Sequence, residues 1–398
     1  MLRVGVVSHI LPPSPSGQAM VLLRLLGELP PEQYVLISRE RYAEREGTAD
    51  APRLAAKHHH LLPTRRMGIF GRFRMEYLDE LVNAVSGILD RARQIARIAR
   101  EERCDLLIGC SGDLYDLPAT RLAGRRTRIP VVPYLFDDYV YQWTGARREI
   151  ARRLEPFVMR GAQGPIVPNE YLGEEYRRRH GVRPTVIRNP CILPDLDELD
   201  RRPPAFDRGP ASIVYTGAVY RAHYDAFRSL VEAIGRTGRT DVRLHIFTAQ
   251  PPGELSENGI SGPFVAVHPH VVPGTVPSVL RQADVLFLPL AFRSPIPEAI
   301  RTSAPGKTGE YLSVGRPILV HAPEDSFVSW YFRENRCGLV VDRSDPVLLS
   351  ASILRLLSDG DLRAGLAVRA RSAAEKDFEV GAVRIRFEEA LRAFAGRR

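Results

Sequence analysis

Lysine is nearly missing from this chain. Among 56 basic residues in 398, only Lys57, Lys307 and Lys376 are lysines, and the remainder are arginines. An arginine alone therefore signals little here, whereas a lysine inside a motif stands out. Cysteine is also scarce: Cys104, Cys110, Cys191 and Cys337 are widely spaced and form no CxxC, which excludes a disulfide scaffold and a zinc knuckle. No apolar run reaches the length of a bilayer span, and the most apolar stretch, ADVLFLPLAF at 283–292, is short and holds Pro289. The sequence enters a strand-like RVGVVS without the basic region, apolar core and cleavage site of a secretory leader. No repeat of fixed period suggests a solenoid. These absences describe a reduced, soluble chain, expected in the cytoplasm.

The remaining composition is that of a globular protein, with 44% hydrophobic and 26% charged residues. The length suits two domains better than one core. The net charge of +9 falls almost wholly within residues 1–190, so an anionic partner would meet the first half. A nucleic-acid-binding function rests on that charge alone. The chain lacks the aromatic–basic interleaving of an RNA platform and any recognition motif, so no nucleic acid is expected.

Strands and helices alternate along both halves. Segments 3–8, 34–38, 105–109, 131–136 and 165–168 read as buried strands, and apolar residues at steps of three and four predict a long helix over 77–103. Residues 196–210, within a stretch rich in Pro and Asp, read as a linker. Strands then resume at 212–217, 242–247, 264–268, 284–289 and 317–321. The pattern predicts an α/β protein of two doubly wound, Rossmann-like domains facing across a cleft, 1–195 and 211–379. The final helix, about 380–398, is a candidate to pack back on the first domain.

The segment 283–321 carries the most chemistry. A buried strand ends at Pro289, a loop follows, and a helix begins near Gly306 with Lys307 in its first turn and Glu310 three residues on. Free N–H groups at a helix start favour an anion such as a diphosphate. Lys307 would add a point charge there, and Glu310 could accept hydrogen bonds from ribose hydroxyls. A capped helix with a surface Lys–Glu pair is the competing reading.

SAPGKTGEYLSVGRPIL resembles the nucleotide-sugar signature of GT-B glycosyltransferases, in particular the branch of family 4 with a P-x-K-x-x-E-Y pattern. Here the pattern falls on Pro305, Lys307, Glu310 and Tyr311, followed by Gly315 and Pro317. ADVLFLP, VIRNP (186–190) and IVYTGAV resemble further parts of that family in order. The resemblance implies an acceptor-binding first domain and a donor-binding second domain. It also implies transfer of a sugar from a nucleoside-diphosphate sugar to a glycan, lipid-linked or small-molecule acceptor, with retention and without a metal or other cofactor. On the donor side it points to Lys307 for the diphosphate, Glu310 for the ribose, and Gly217, Pro305, Gly306 and Thr308 for the loops; the family's basic cluster after Gly217 is missing, and Arg221 is the nearest basic candidate for the diphosphate. The family's first acid falls on Thr302, so that carboxylate is absent. UDP-sugar epimerases share the fold and form the alternative, but their paired acid–base residues are not evident.

On the acceptor side, FDDY places Asp137 and Asp138 at the carboxyl end of a strand, where a carboxylate orients or deprotonates an acceptor hydroxyl. The competing reading for at least one of them is an Asx turn. Gly17 and Asp113 are further acceptor-side candidates. The Asp195-x-Asp197 pair lies in the linker, the run His58–His60 reads as a solvated loop, and GKT at 306–308 lacks the upstream glycine of a P-loop. In TRRMGIFGRFRM (64–75), four arginines interleave with apolar residues, a pattern that would suit peripheral contact with an anionic membrane at the inner face of the cell.

Overall fold

A computed structural model describes residues 2–41, 52–63 and 76–396. The chain divides into two compact units, Met1–Pro190 with Val380–Arg398, and Cys191–Glu379. The first holds a sheet of β1 (Val4–Val7), β2 (Tyr34–Ser38), β3 (His58–His60), β4 (Leu106–Cys110), β5 (Val131–Tyr134), β6 (Ile166–Val167) and β7 (Thr185–Val186). Its order is β3-β2-β1-β4-β5-β6-β7, and every pairing is parallel. The inner strands are apolar throughout because helices cover both faces. The long helix Glu76–Glu101 buries Ile88, Ala92, Ile95 and Ala99 on one face. On the other, Leu22 and Leu25 of Gly17–Leu26 join Phe387, Leu391 and Phe394 of Val380–Gly396.

The second unit repeats the plan. Its sheet comprises β8 (Ala211–Thr216), β9 (Val242–Phe247), β10 (Val265–His268), β11 (Val285–Pro289), β12 (Ile318–His321) and β13 (Leu339–Val341), in the order β10-β9-β8-β11-β12-β13, again all parallel. In both sheets the order reverses beside the first strand, which makes the carboxyl ends of β1 and β8 the switch points at which α/β sheets place ligands.

Two expectations are corrected. The first unit stops at Pro190 rather than 195, because the Cys191 N–H bonds to the Phe378 carbonyl at 2.7 Å and ties that residue into the second unit. The segment expected as linker begins with a helix, Leu196–Arg201, capped by Asp195, whose carboxylate accepts the Glu198 N–H at 3.0 Å. Arg281 holds that helix by pairing with Asp200. The second correction concerns His58–His60, which form edge strand β3 rather than a solvated loop. His58 Nε2 lies 2.7 Å from the Ser38 hydroxyl and His59 Nε2 lies 2.8 Å from Glu102, so side-chain partners stabilise a strand with no apolar residue. Segment 64–75 lies outside the described residues.

Candidate functional site

In the second unit the site begins where β8 ends. Gly217 turns the chain with φ +115°, a conformation glycine adopts freely, and its N–H bonds to the Phe247 carbonyl. A side chain there would also be crowded, since an added Cβ would lie 3.2 Å from Lys307 Nζ. Lys307 reaches this turn from the start of the helix Lys307–Ser313, after Pro305 and the exposed Gly306. The turn of β8 and the Lys307 motif, 90 residues apart in sequence, thus meet at one point.

Two tyrosines fix the junction. Lys307 Nζ donates to the Tyr215 hydroxyl at 2.5 Å and lies 3.8 Å from the centroid of that ring, a cation–π contact. Tyr215 in turn donates to the Ala218 carbonyl at 2.6 Å. Tyr311, from the same helix as Lys307, accepts the Thr216 N–H at 3.0 Å. Buried polar atoms nearby are unused among the described residues: Thr308 Oγ1 and His223 Nδ1 have no hydrogen-bond partner.

The electrostatics are lopsided. Burial pushes the Lys307 ammonium down to about 7, opposed by the Glu310 carboxylate. The side chain is half-buried, so water screens part of that penalty. Burial, reinforced by the Lys307 charge, pushes His223 down to about 3, so the imidazole is neutral. Among the described residues no carboxylate forms an ion pair with Lys307. Glu310 is half-buried and Arg221 is exposed on the loop after Gly217, with no bond tying it to Lys307. A cation held without a neutralising partner, beside a glycine turn at a strand end, has the chemistry to receive an anion.

The first unit treats its charges differently. Asp138 is buried; its Oδ1 accepts the N–H groups of Val140 and Tyr141 at 2.9 and 3.0 Å, and its Oδ2 pairs with Arg179. Arg179 also binds Glu155 at 2.8 Å and stacks over the Tyr176 ring at 4.5 Å, while Tyr176 donates to Glu155 at 2.7 Å. Asp138 therefore serves as the Asx-turn residue of the pair. Asp137 is exposed at the end of β5. Surrounding protein and the neighbouring Asp138 charge raise its carboxyl pKa, and its access to water limits the rise.

Asp113 is likewise engaged: its Oδ1 accepts the Tyr115 N–H at 2.7 Å and pairs with Arg91 at 2.6 Å. Gly17 is exposed, and a Cβ there would meet nothing within 4 Å. Its neighbour Gln18 donates to Ser8 at 2.8 Å and abuts Gly112, which joins the carboxyl ends of β1 and β4. Thr302 is buried and donates to the Glu298 carbonyl at 3.2 Å. Sequence reasoning missed Tyr215, His223 and Arg179. Tyr215 carried one readable signal, a polar-tipped ring in a buried strand, which requires a partner there.

Comparison with known proteins identifies the family. Residues 15–192 match the model of Glycosyltransferase Family 4, and residues 210–359 that of Glycosyl transferases group 1. The fold matches a glycosyltransferase from Rickettsia africae with TM-score 0.71 at 11% identity, covering 100% of this chain and 99% of that one. It also matches HepE of Anabaena in complex with UDP and glucose, with TM-score 0.67 at 14% identity, covering 99% and 100%. Sucrose-phosphate synthase from Thermosynechococcus elongatus matches with TM-score 0.69 at 14% identity, covering 100% of both chains. The chain is a GT-B glycosyltransferase of the family 4 type. No curated protein matches it in sequence. In this glycosyltransferase the group 1 match contains both Gly217 and Lys307, and the family 4 match contains Gly17, Asp113, Asp137 and Asp138. No helix among the described residues is long and apolar enough to cross a membrane.

Proposed function

We propose that this glycosyltransferase moves a sugar from a nucleoside-diphosphate sugar, with UDP the first nucleotide to test, to an acceptor hydroxyl, with retention and without a metal. The observation that carries the donor reading is the Lys307 ammonium, held by the Tyr215 hydroxyl rather than by a carboxylate, beside the Gly217 turn. As the glycosidic bond to the diphosphate breaks, negative charge grows on the leaving oxygens, and a fixed cation stabilises it. In this reading Arg221, exposed on the same loop, binds the outer phosphate, and Glu310 accepts from the ribose hydroxyls. UDP bound to the structurally similar HepE supports trying that nucleotide first. Retention and metal independence rest on the family resemblance. Asp137 is the solvent-facing carboxylate for orienting the acceptor.

The test is thermal denaturation with UDP, GDP and dTDP in turn, followed by nucleotide release from the matching glucose donors with and without EDTA. One nucleotide should stabilise the protein, and turnover should survive EDTA. Stabilisation by none of the three would sink the donor reading, and abolition by EDTA would sink metal independence. An epimerase, the competing activity, would convert the donor sugar without any acceptor, but both matched family models are of glycosyltransferases. Membrane contact through 64–75 is a further proposal: sedimentation with anionic vesicles at low salt should carry the protein down, and a protein left in the supernatant refutes it.

A further inference from the structure

A lysine side chain has four rotatable carbons and a strongly hydrated head, so a fixed ammonium position requires something to hold it. Here the holder is a residue that neither motif nor spacing singles out. The Tyr215 ring lies under Lys307 Nζ, and its hydroxyl accepts from the same nitrogen while donating to the Ala218 carbonyl in the turn. One phenol therefore grips the cation and the glycine turn together.

We propose that Tyr215 is a positioning residue for Lys307, holding its ammonium at the Gly217 turn in the orientation that receives a phosphate oxygen of the donor. The phosphate half of this statement rests on the donor reading above; the grip on Lys307 stands independently of it. The chemistry of the grip is specific. A carboxylate in place of the phenol would neutralise the lysine and compete with the incoming anion. A neutral phenol accepts a hydrogen bond and offers the face of its ring without cancelling the charge. Burial raises the Tyr215 hydroxyl well above its ordinary value, so it remains neutral wherever the enzyme works. The other groups facing Lys307 are Glu310 on its own helix, which favours the charged form, and the neutral His223 from the segment before the helix Tyr224–Arg236. Tyr311 holds the helix to β8 but bonds backbone, not the lysine.

The scarcity of lysine makes the idea directly measurable. With lysine labelled at Cε, the full-length protein gives three side-chain signals, and Lys307→Arg assigns one of them. The Lys307 signal should titrate well below the ordinary lysine range. Tyr215→Phe keeps the ring and the packing but removes the acceptor, so the Lys307 signal should titrate at still lower pH. The same variant should bind UDP roughly tenfold more weakly, as expected for a lost hydrogen bond to a charged group. The high-pH limb of kcat/KM should move down with it, which packing damage alone would not cause. Tyr215→Leu, lacking ring and hydroxyl, should exceed Tyr215→Phe in each readout at an unchanged circular-dichroism spectrum. An unchanged Lys307 titration and UDP affinity in Tyr215→Phe would overturn the proposal. If the titration moves but UDP binds neither protein, the grip is supported and the donor reading fails.

Discussion

The two units share one architecture and use the carboxyl ends of their strands in opposite ways. At the end of β5 the buried charges are matched: Asp138 meets Arg179, Arg179 meets Glu155, and Glu155 meets Tyr176 and His180. At the end of β8 one half-buried cation is left with a neutral phenol for a partner. A satisfied network specifies a loop conformation, whereas an unmatched charge stores a demand for a ligand. The difference separates charges that build the fold from charges kept in reserve, although both types look alike as residues in a sequence.

The comparison breaks most visibly through Arg179. Arg179→Ala leaves Asp138 and Glu155 buried without their cation, and loss of about 3–5 kcal/mol in stability is expected by urea denaturation. A variant as stable as the wild type would show that the network is not structural. Lys307→Ala should do the reverse, leaving the unfolding midpoint unchanged or higher while weakening donor use by about 2–4 kcal/mol in kcat/KM. Normal donor kinetics in that variant would remove Lys307 from the site. Asp137→Asn should fold normally and lose on the order of 100-fold in kcat, the usual scale for a positioned acid or base. Full activity would return Asp137 to the role of a loop residue.

The smallest effect is a pH dependence, and its sign follows from the lowered Lys307 value of about 7. Between that value and the ordinary lysine range the native state has lost a proton that the unfolded chain keeps. Lysine burial therefore costs stability fully below pH 7, and the cost fades as pH rises toward the unfolded value. Nucleotide binding has the opposite preference, since a diphosphate wants the ammonium. UDP affinity should fall as pH rises through 7, and calorimetry in buffers of different ionisation enthalpy should detect proton uptake on binding. Affinity that is flat from pH 6 to 9 would show that Lys307 keeps its proton without help.

Most of the fold was legible because the inner strands are short apolar runs separated by turns, which parallel sheets covered on both faces require. The parts that escaped lack that signal. Strand β3 is three histidines stabilised by side-chain partners, and β7 holds only two residues. The helix Leu196–Arg201 has one buried residue and looks like a polar linker by composition. At the site, Lys307 and the Gly217 turn were readable because each sits in a local motif. Tyr215 and Arg179 were not, because their roles depend on partners 92 and 41 residues away. Local pattern reveals where a charge stands, and only tertiary contact reveals whether it is answered.

The last helix, Val380–Gly396, belongs to the first unit, so the second unit is an insertion between two pieces of the first. During synthesis the usual order, with the N-terminal domain finishing first, is therefore inverted. The second unit owns all its residues once Glu379 has been made, while Val4, Val6 and Leu22 of the first still await Val383, Phe387, Leu391 and Phe394. A nascent chain of this enzyme carries a finished second unit and a first unit with one apolar flank open, and the final 17 helical residues close it.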